Sequence, residues 1–251
     1  MIKVGTYNLG ERGRTDRAVL DAQLDMLAGL RADVWALQEC NGWEENHHRL
    51  LNVAADTLGM RPCFVKSNHD GCHLTLMVRE TGRLRVLEER HDRSHPLWHA
   101  KAHVVVSIDG RADPAHFLDV HSAPSSPIIR QAEAELFQLY AKLGDVIAAG
   151  DYNAAPASGV ITVPDGVNPE HARRKLDRSA AEAIEAAGFV DVGAHCGNQE
   201  PTVGFTSADR LAFPCDRAYT TLPGSTIAGF EVIHEIKPKG DHRPAVAAFH
   251  L

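Results

Sequence analysis

One apolar run in the middle of the chain constrains the fold most. Val146-Ile147-Ala148-Ala149 ends abruptly in Gly150-Asp151-Tyr152-Asn153 and lies between a glycine and a proline. A run this short with such boundaries predicts a buried strand rather than a helix. Because side chains alternate along a strand, Asp151 and Asn153 are expected on one side of its carboxyl end, where they can bind a water, a metal or a phosphate oxygen. The competing interpretation is a tight turn, since Gly, Asp and Asn are also turn residues.

Polar side chains also stand at the ends of other strand-like segments. The segment 2–9 carries Asn8, the segment 34–37 is followed by Glu39, and the segment 117–120 is followed by His121. Near the C-terminus, Asp216 lies in a strand-like segment and Asp241-His242 precedes the last one, 245–249. Each of these residues alone could begin a turn or be structural. Together they predict that polar groups gather at one edge of the sheet structure.

Hydrophobic periodicity predicts helices between these strands. Helices are expected from Thr15 as N-cap to about residue 29, over 50–58, over 127–143 and over 179–188. The segment 157–178 has no periodicity and predicts a long surface loop that carries a basic cluster around Arg173 and Arg174. Four histidines between His91 and His103 are spaced four residues apart, as in a metal-binding helix stripe, but a proline interrupts them and favours a solvated loop.

Length and composition indicate an ordinary globular chain. With 251 residues and 44% hydrophobic residues, we expect a single domain over 1–251. The net charge of −7 argues against gripping a polyanion by bulk charge, although local basic clusters or a metal could still do so. The five cysteines show no C-x-x-C spacing, so neither a disulfide framework nor a zinc site is predicted. No signal peptide or membrane-spanning run is seen, and a cytoplasmic, monomeric protein is expected.

The ordered polar positions resemble the motifs of one known family. The matching segments are Thr6-Tyr7-Asn8, Leu37-Gln38-Glu39, His121-Ser122-Ala123-Pro124, Gly150-Asp151-Tyr152-Asn153, Cys215-Asp216-Arg217 and Gly240-Asp241-His242-Arg243-Pro244. Six such segments in this order resemble the endonuclease/exonuclease/phosphatase family. Its members are metal-dependent phosphoesterases that include pancreatic-type deoxyribonuclease, abasic-site endonucleases, inositol polyphosphate phosphatases and neutral sphingomyelinases.

The resemblance implies a fold and a metal. The fold would be a four-layer α/β sandwich, with two mixed β-sheets packed face to face, helices outside, and the site in a cleft at one end. Glu39, with Asn8 and Asp241, would bind a hard divalent ion through oxygen ligands, which suits Mg²⁺ or Mn²⁺.

It also implies catalytic roles. His242, oriented by Asp216, would act as general base or as an electrostatic clamp on the phosphate, and Asp151 would align or deprotonate the attacking water. Asn153 would contact a non-bridging oxygen, and His121 would donate to the phosphate or the leaving group. Whether Asp151 or His242 takes the water's proton stays open.

Departures from the family pattern bear on the substrate. His121-Ser122-Ala123-Pro124 is similar to the deoxyribonuclease branch, but Cys40 follows the metal glutamate where that branch has a groove-entering arginine. The segment around residues 70–74 also lacks that branch's second, histidine-supporting glutamate. Cys215-Asp216-Arg217 is similar to the inositol polyphosphate phosphatase branch, but Ala154-Ala155 replaces its tyrosine-arginine pair.

The resulting prediction is a Mg²⁺-dependent phosphodiesterase, most specifically an endonuclease that hydrolyses DNA. Candidate substrate-binding residues are Arg173, Arg174, Arg217 and Arg243. The alternative is a phosphatase or phosphodiesterase for a small or lipid-linked phosphate ester, favoured by the acidic net charge. A binding protein that kept only the scaffold is disfavoured, because no member of the expected catalytic set is replaced by an inert residue.

Overall fold

Two mixed β-sheets packed face to face form the centre of the protein. The computed structural model describes residues 1–10, 16–69, 71–234 and 240–251. The first sheet contains, in spatial order, β11 (Ile227–Val232), β12 (Ala245–Phe249), β1 (Ile2–Asn8), β2 (Val34–Gln38), β4 (Leu74–Val78) and β3 (Arg61–Val65). The second contains β5 (Leu84–Glu89), β6 (Lys101–Ile108), β7 (Ala115–His121), β8 (Val146–Asp151), β10 (Asp216–Thr220) and β9 (Val190–Asp191).

Helices cover the outer faces of both sheets. They are α1 (Arg17–Leu30), α2 (Arg49–Leu58), α3 (Pro127–Glu135), α4 (Phe137–Tyr140), α5 (Pro169–Lys175), α6 (Ser179–Ala186) and α7 (Val192–His195). Helices α1 and α2 pack on the first sheet, while α3, α4 and α6 pack on the second. The predicted four-layer sandwich is therefore confirmed. In the described part of the chain, no helix has both the length and the apolar character needed to cross a membrane.

The alternation of strand side chains explains why β8 is apolar throughout. Ile147 and Ala149 belong to the core between the two sheets. Val146 and Ala148 point the other way, into the layer under α3 and α6. A strand covered on both faces needs apolar residues at successive positions. The apolar run is therefore a buried strand, as predicted.

Strand pairing brings the predicted polar residues to one end of the sandwich. Parallel pairing of β7 and β8 sets His121 opposite Asp151, and antiparallel pairing of β8 and β10 sets Asp216 opposite the same aspartate. In the other sheet, Asn8 pairs with Gln38 across β1 and β2, next to Glu39. The ends of five strands, β1, β2, β7, β8 and β10, thus carry the candidate site.

A polar contact links the two sheets beneath this end. The Gln38 side-chain amide donates to Asp119 Oδ1 at 2.6 Å, and both side chains are completely buried. Burial raises the pKa of the Asp119 carboxyl well above its usual range. The link holds β2 over β7.

Helix α5 corrects the predicted loop over 157–178. The Asn168 side chain accepts the His171 N–H at 3.0 Å, and Pro169 occupies the first turn, so the helix has an ordinary start. Its Ala172 packs with Leu211 and other residues of a small apolar cluster. The apolar face of a seven-residue helix is too short to show periodicity, which is why the sequence pattern missed it.

Two other sequence predictions concern the start of α1 and the segment with four histidines. Thr15 lies outside the described residues, and the Asp16 side chain caps α1 by accepting from Ala18 and Val19 N–H groups. The solvated histidine loop is only partly correct, because His99 and His103 are 3% and 4% exposed. His103 is buried within β6, and His99, two residues before that strand, is buried against His121 and Ser67.

Gly150 allows β8 to lie close to β7. A Cβ atom at position 150 would lie 1.9 Å from the carbonyl oxygen of Val120 in β7. No side chain can be accommodated there without separating the strands. The glycine therefore sets the position of the following residue, Asp151, relative to His121.

Gly150→Ala is expected to lower the free energy of unfolding by about 3 kcal/mol, because the added methyl group must displace the β7 backbone. Urea unfolding followed by circular dichroism measures the change. Gly29→Ala in α1 is the matched control: a Cβ there meets nothing within 4 Å, so that variant should be equally or slightly more stable than the parent. Equal stability of the two variants would contradict the close-approach explanation.

Candidate active site at the strand ends

Asp151 is the centre of the site, and its two carboxylate oxygens have different partners. Oδ1 accepts the Asn153 backbone N–H at 2.8 Å and the Cys215 thiol at 3.0 Å. Oδ2 accepts from the Asn8 side-chain amide at 3.0 Å. With 2% exposure, the carboxylate is held in one orientation, with Oδ2 toward the other sheet.

Asn8 connects Asp151 to the candidate metal ligand. Its Nδ2 donates to Glu39 Oε1 at 3.1 Å as well as to Asp151, so one amide serves two carboxylates on different sheets. Its Oδ1 is oriented by the Gly10 N–H at 2.9 Å. The amide fixes the spacing of two negative charges that would otherwise repel each other.

Two histidines flank Asp151 on opposite sides. His121 Nε2 lies 3.7 Å from Asp151 Oδ2, and His242 Nε2 lies 3.9 Å from the same atom. His242 Nδ1 also makes a 2.9 Å hydrogen bond with Asp216 Oδ2, whereas the charges near His121 other than Asp151 are those of His242 and Lys175. The two imidazoles therefore face the same oxygen from different electrostatic surroundings.

These surroundings give the two histidines different charges. Burial lowers the pKa of His242, but the Asp216 and Asp151 carboxylates outweigh it and raise that pKa to about 10. Burial lowers the pKa of His121 to about 4, and Asp151 only partly opposes the shift. Burial alone would raise the pKa of Asp151, yet His242 and His121 hold it below its usual range. At neutral pH the site contains an imidazolium, an ionised carboxylate and a neutral imidazole.

His99 stacks on His121. The two ring centroids are 4.1 Å apart with an interplanar angle of 16°, and the Ser67 hydroxyl lies 3.1 Å from His99 Nδ1. Burial and the neighbouring imidazoles lower the pKa of His99 to about 2, so the stacked pair is uncharged. His99 was not a predicted site residue, since nothing local in the sequence relates it to His121.

Lys175 was also missed by the sequence analysis. Its ammonium donates to Asn153 Oδ1 at 2.6 Å from the last residue of α5. The Asn153 amide nitrogen donates to the Ser122 carbonyl at 3.0 Å, which leaves one amide hydrogen for another acceptor. The side chain is thus oriented from both ends, and a positive charge stands beside it.

The oxygen-rich set around Glu39 fits a hard divalent cation. Burial raises the pKa of Glu39, and the carboxylates of Asp151 and Asp241 raise it further. Carboxylate and amide oxygens, the donor types of Glu39, Asp241 and Asn8, are the ligands that Mg²⁺ and Mn²⁺ prefer. The predicted metal ligands Asn8, Glu39 and Asp241 therefore suit such an ion.

A second group of possible ligands overlaps the site. One ligand atom each from Asp151, Asp216 and His242 lies within 4.8 Å of the others. Within this group His242 Nδ1 hydrogen-bonds to Asp216 Oδ2 at 2.9 Å, and both aspartates raise the pKa of His242. The three side chains therefore form one charge network.

The four arginines predicted to bind substrate have different surroundings. Arg217 is 3% exposed, donates to the Ala154 carbonyl at 2.7 Å and lies over the Tyr152 ring, so its proposed substrate contact is corrected to a structural role. Arg173 forms a two-pronged pair with Glu170 at 2.9 and 2.8 Å. Arg174 lies 3.8 Å from the same glutamate, and Arg243 lies over the Phe205 ring at 4.1 Å.

A cavity of about 450 Å³ opens beside these residues. Its lining includes Asn153, Lys175 and His242, together with basic, acidic and apolar residues, namely His171, Arg210, Asp209, Asp241 and Phe213. The site therefore faces a space that combines groups of both charges with an apolar surface. Such a cavity is large enough for a small ligand.

Comparisons with known proteins agree with this geometry. The sequence profile described as Endonuclease/Exonuclease/phosphatase family matches residues 5–232. None of the curated protein sequences compared with the chain matches it.

Three solved structures are similar over whole chains. An endonuclease/exonuclease/phosphatase family protein from Leptotrichia buccalis C-1013-b has a TM-score of 0.72 and 16% identity, with 100% of each chain covered. A Bacteroides thetaiotaomicron mannosyl-6-phosphatase has a TM-score of 0.70 and 14% identity, also with 100% of each covered. TDP2 from D. rerio, complexed with single-strand DNA product, has a TM-score of 0.67 and 16% identity, covering 100% of this chain and 99% of its own.

Asn8→Asp is expected to destabilise the protein in the absence of divalent cations. It replaces a shared amide donor by a third carboxylate next to Glu39 and Asp151, which should lower the free energy of unfolding by about 1–3 kcal/mol. Thermal unfolding in EDTA and in MgCl₂ measures this, and Mg²⁺ should recover part of the loss. Asn52→Asp, which adds the same charge at an exposed position of α2, is the control. Equal behaviour of the two variants would contradict the bridging role.

Proposed function

Because the chain belongs to the endonuclease/exonuclease/phosphatase family, we propose that it is a divalent-metal-dependent phosphodiesterase that hydrolyses DNA through an activated water. Enzymes of this family are phosphoester hydrolases that depend on divalent metals. The observation that carries the proposal is the convergence of Asn8, His121 and His242 on one oxygen of Asp151. An ionised carboxylate between one charged and one neutral imidazole suits in-line attack on a phosphodiester.

Asp151 is the proposed acceptor of the water's proton. His242 is already protonated at neutral pH, with a pKa of about 10, so it cannot take a second proton. Asp151 remains ionised, and its Oδ2 has a single hydrogen bond, from Asn8, at 3.0 Å. We assign the base role to Asp151 because it is the unprotonated member of the pair, although its lowered pKa makes it a weaker base than a free carboxylate, and His242 is left as the positive charge that stabilises the phosphoryl oxygens.

The remaining side chains are assigned to binding and orientation. Asn153 offers its second amide hydrogen to a non-bridging oxygen, next to the Lys175 ammonium. His121, as a neutral imidazole, donates a hydrogen bond to the phosphate or the leaving oxygen. Glu39, Asn8 and Asp241 would hold the divalent ion, which when bound supplies charge neutralisation at the phosphate.

DNA is the favoured substrate because the segment from His121 to Pro124 is similar to the deoxyribonuclease branch of the family. A second candidate is a small phosphate ester, and the specific observation that favours it is the 450 Å³ cavity next to His242. The pairing of Arg173 and Arg174 with Glu170 also weakens the basic cluster as a grip on duplex DNA. Both candidates use the same catalytic residues.

Asp151→Asn should lower kcat by about 10²–10⁴-fold, because it removes the proposed base while preserving the shape of the side chain. Steady-state hydrolysis with Mg²⁺ measures the loss, and the urea unfolding midpoint checks that the fold is intact. Asp113→Asn, the same substitution at an exposed loop position, should retain parental activity. Near-parental kcat in the Asp151 variant would reject the role.

Removal of divalent metal should abolish hydrolysis, and Mg²⁺ or Mn²⁺ should restore it. Supercoiled plasmid, a single-stranded oligonucleotide and soluble phosphate esters are compared with and without EDTA. Glu39→Gln should require a higher Mg²⁺ concentration for half-maximal rate, since it removes a charged ligand. If soluble esters are hydrolysed while the plasmid and the oligonucleotide stay intact, the substrate is a small phosphate ester rather than DNA. Activity that persists in EDTA would refute metal dependence.

A further inference from the structure

A second cavity, here called the Trp98 groove, shares no lining residue with the cavity beside His242. Its volume is about 510 Å³, and it is lined by the turn at Asn68 and His69, the loop from Arg93 to Trp98, and α3 residues that include Ile128. None of the proposed catalytic or metal-binding residues lines this groove. It is therefore distinct from the cavity beside His242.

A row of aromatic rings connects the groove to the catalytic histidine. Trp98 stacks on His69 with ring centroids 4.0 Å apart and an interplanar angle of 19°. His69 meets His99 edge-on at 5.9 Å, and His99 stacks on His121 at 4.1 Å. The groove wall and the active site thus share one continuous set of side chains. A group attached to the reacting phosphate could extend along this row.

The groove is held rigidly relative to the site by Glu133. One carboxylate oxygen of this buried side chain accepts the Trp98 N–H at 2.7 Å, and the other accepts the Ala123 N–H at 3.0 Å. Ala123 lies two residues after His121. In addition, the Asn68 amide donates to the carbonyls of Arg93 and Leu97 at 3.2 and 3.1 Å. These contacts keep both sides of the groove in place before any ligand binds.

The lining has the chemistry of a nucleotide site. Trp98 and Leu97 provide an apolar wall, and Ile128, which is 80% exposed, faces solvent at the start of α3. The Arg93 guanidinium and the His95 imidazole are exposed at the rim. Among the described residues that line the groove, none carries a carboxylate. An apolar surface bordered by a cation complements a base that is covalently linked to phosphates.

We propose that the Trp98 groove binds a nucleotide unit that adjoins the scissile phosphate in single-stranded nucleic acid. The base lies against Trp98 and Ile128, and the next phosphate lies near Arg93. This inference rests on the proposed phosphodiesterase function and specifies single-stranded nucleic acid as its substrate. An acyl chain would use the apolar wall but not the basic rim, so the charge of the lining favours a nucleotide.

The first test separates groove binding from chemistry. Trp98→Ala and Ile128→Ser should each raise KM for a single-stranded oligonucleotide by about tenfold, because one base loses its stacking or apolar partner. Turnover of bis(p-nitrophenyl) phosphate, which has no neighbouring nucleotide, should stay within about twofold of the parent, since neither side chain touches the proposed catalytic residues. Leu139→Ser is the matched control, because Leu139 is another exposed apolar residue, with 60% exposure. It should change neither KM for the oligonucleotide nor turnover of bis(p-nitrophenyl) phosphate.

The second test measures binding without turnover. Trp35 and Trp43 are 0% and 1% exposed, whereas Trp98 is partly exposed, so a ligand in the groove should quench mainly Trp98 fluorescence. Titration with a single-stranded oligonucleotide in EDTA should quench the parent, and Trp98→Phe should remove the quenching. Phosphatidylcholine vesicles serve as the apolar comparison and should cause no quenching.

The possible results separate the two proposals. Hydrolysis of both substrates with unchanged oligonucleotide KM in the groove variants would overturn the groove inference and leave the phosphodiesterase proposal intact. Quenching by vesicles but not by the oligonucleotide would also overturn it and would assign the groove to acyl chains. Quenching by the oligonucleotide without hydrolysis of any substrate would support the groove while rejecting the phosphodiesterase proposal.

Discussion

The site depends on one shared hydrogen-bond donor between two sheets. The Asn8 amide, at the end of β1, donates to Glu39 in its own sheet and to Asp151 in the other. Two carboxylates at this separation repel each other unless a donor or a cation lies between them. The docking of the sandwich brings them together, and the buried contact between Gln38 and Asp119 stabilises that docking from below. The fold and the chemistry therefore share the same constraint.

The two histidines illustrate how surroundings divide roles between identical side chains. His242 hydrogen-bonds to Asp216 and also faces Asp151, so two negative charges keep it protonated. His121 is buried against the ring of His99 and stays neutral. One histidine can therefore stabilise negative charge, while the other can donate a hydrogen bond without adding charge. The positions of the two histidines next to strands carry no sign of this difference, and it was the family resemblance that paired His242 with Asp216.

Much of the site could be predicted because it follows from strand periodicity. Asn8, Glu39 and Asp151 each end or follow a short apolar run, and the carboxyl ends of adjacent parallel strands meet at one edge. Lys175 and His99 could not be found in this way. Lys175 reaches the site from a short helix whose signals were limited to its cap, and His99 matters only through a ring contact made in three dimensions. Both relations arise from tertiary packing and leave no pattern along the chain.

The placement of Asn8 and Asp151 on opposite sheets has a consequence for how the molecule acquires activity. Either sheet alone, even with all its strands paired, would present only half of the hydrogen-bond network. A refolding chain therefore cannot regain turnover before its two sheets have docked. Recovery of activity reports the assembled sandwich, which recovery of secondary structure alone does not.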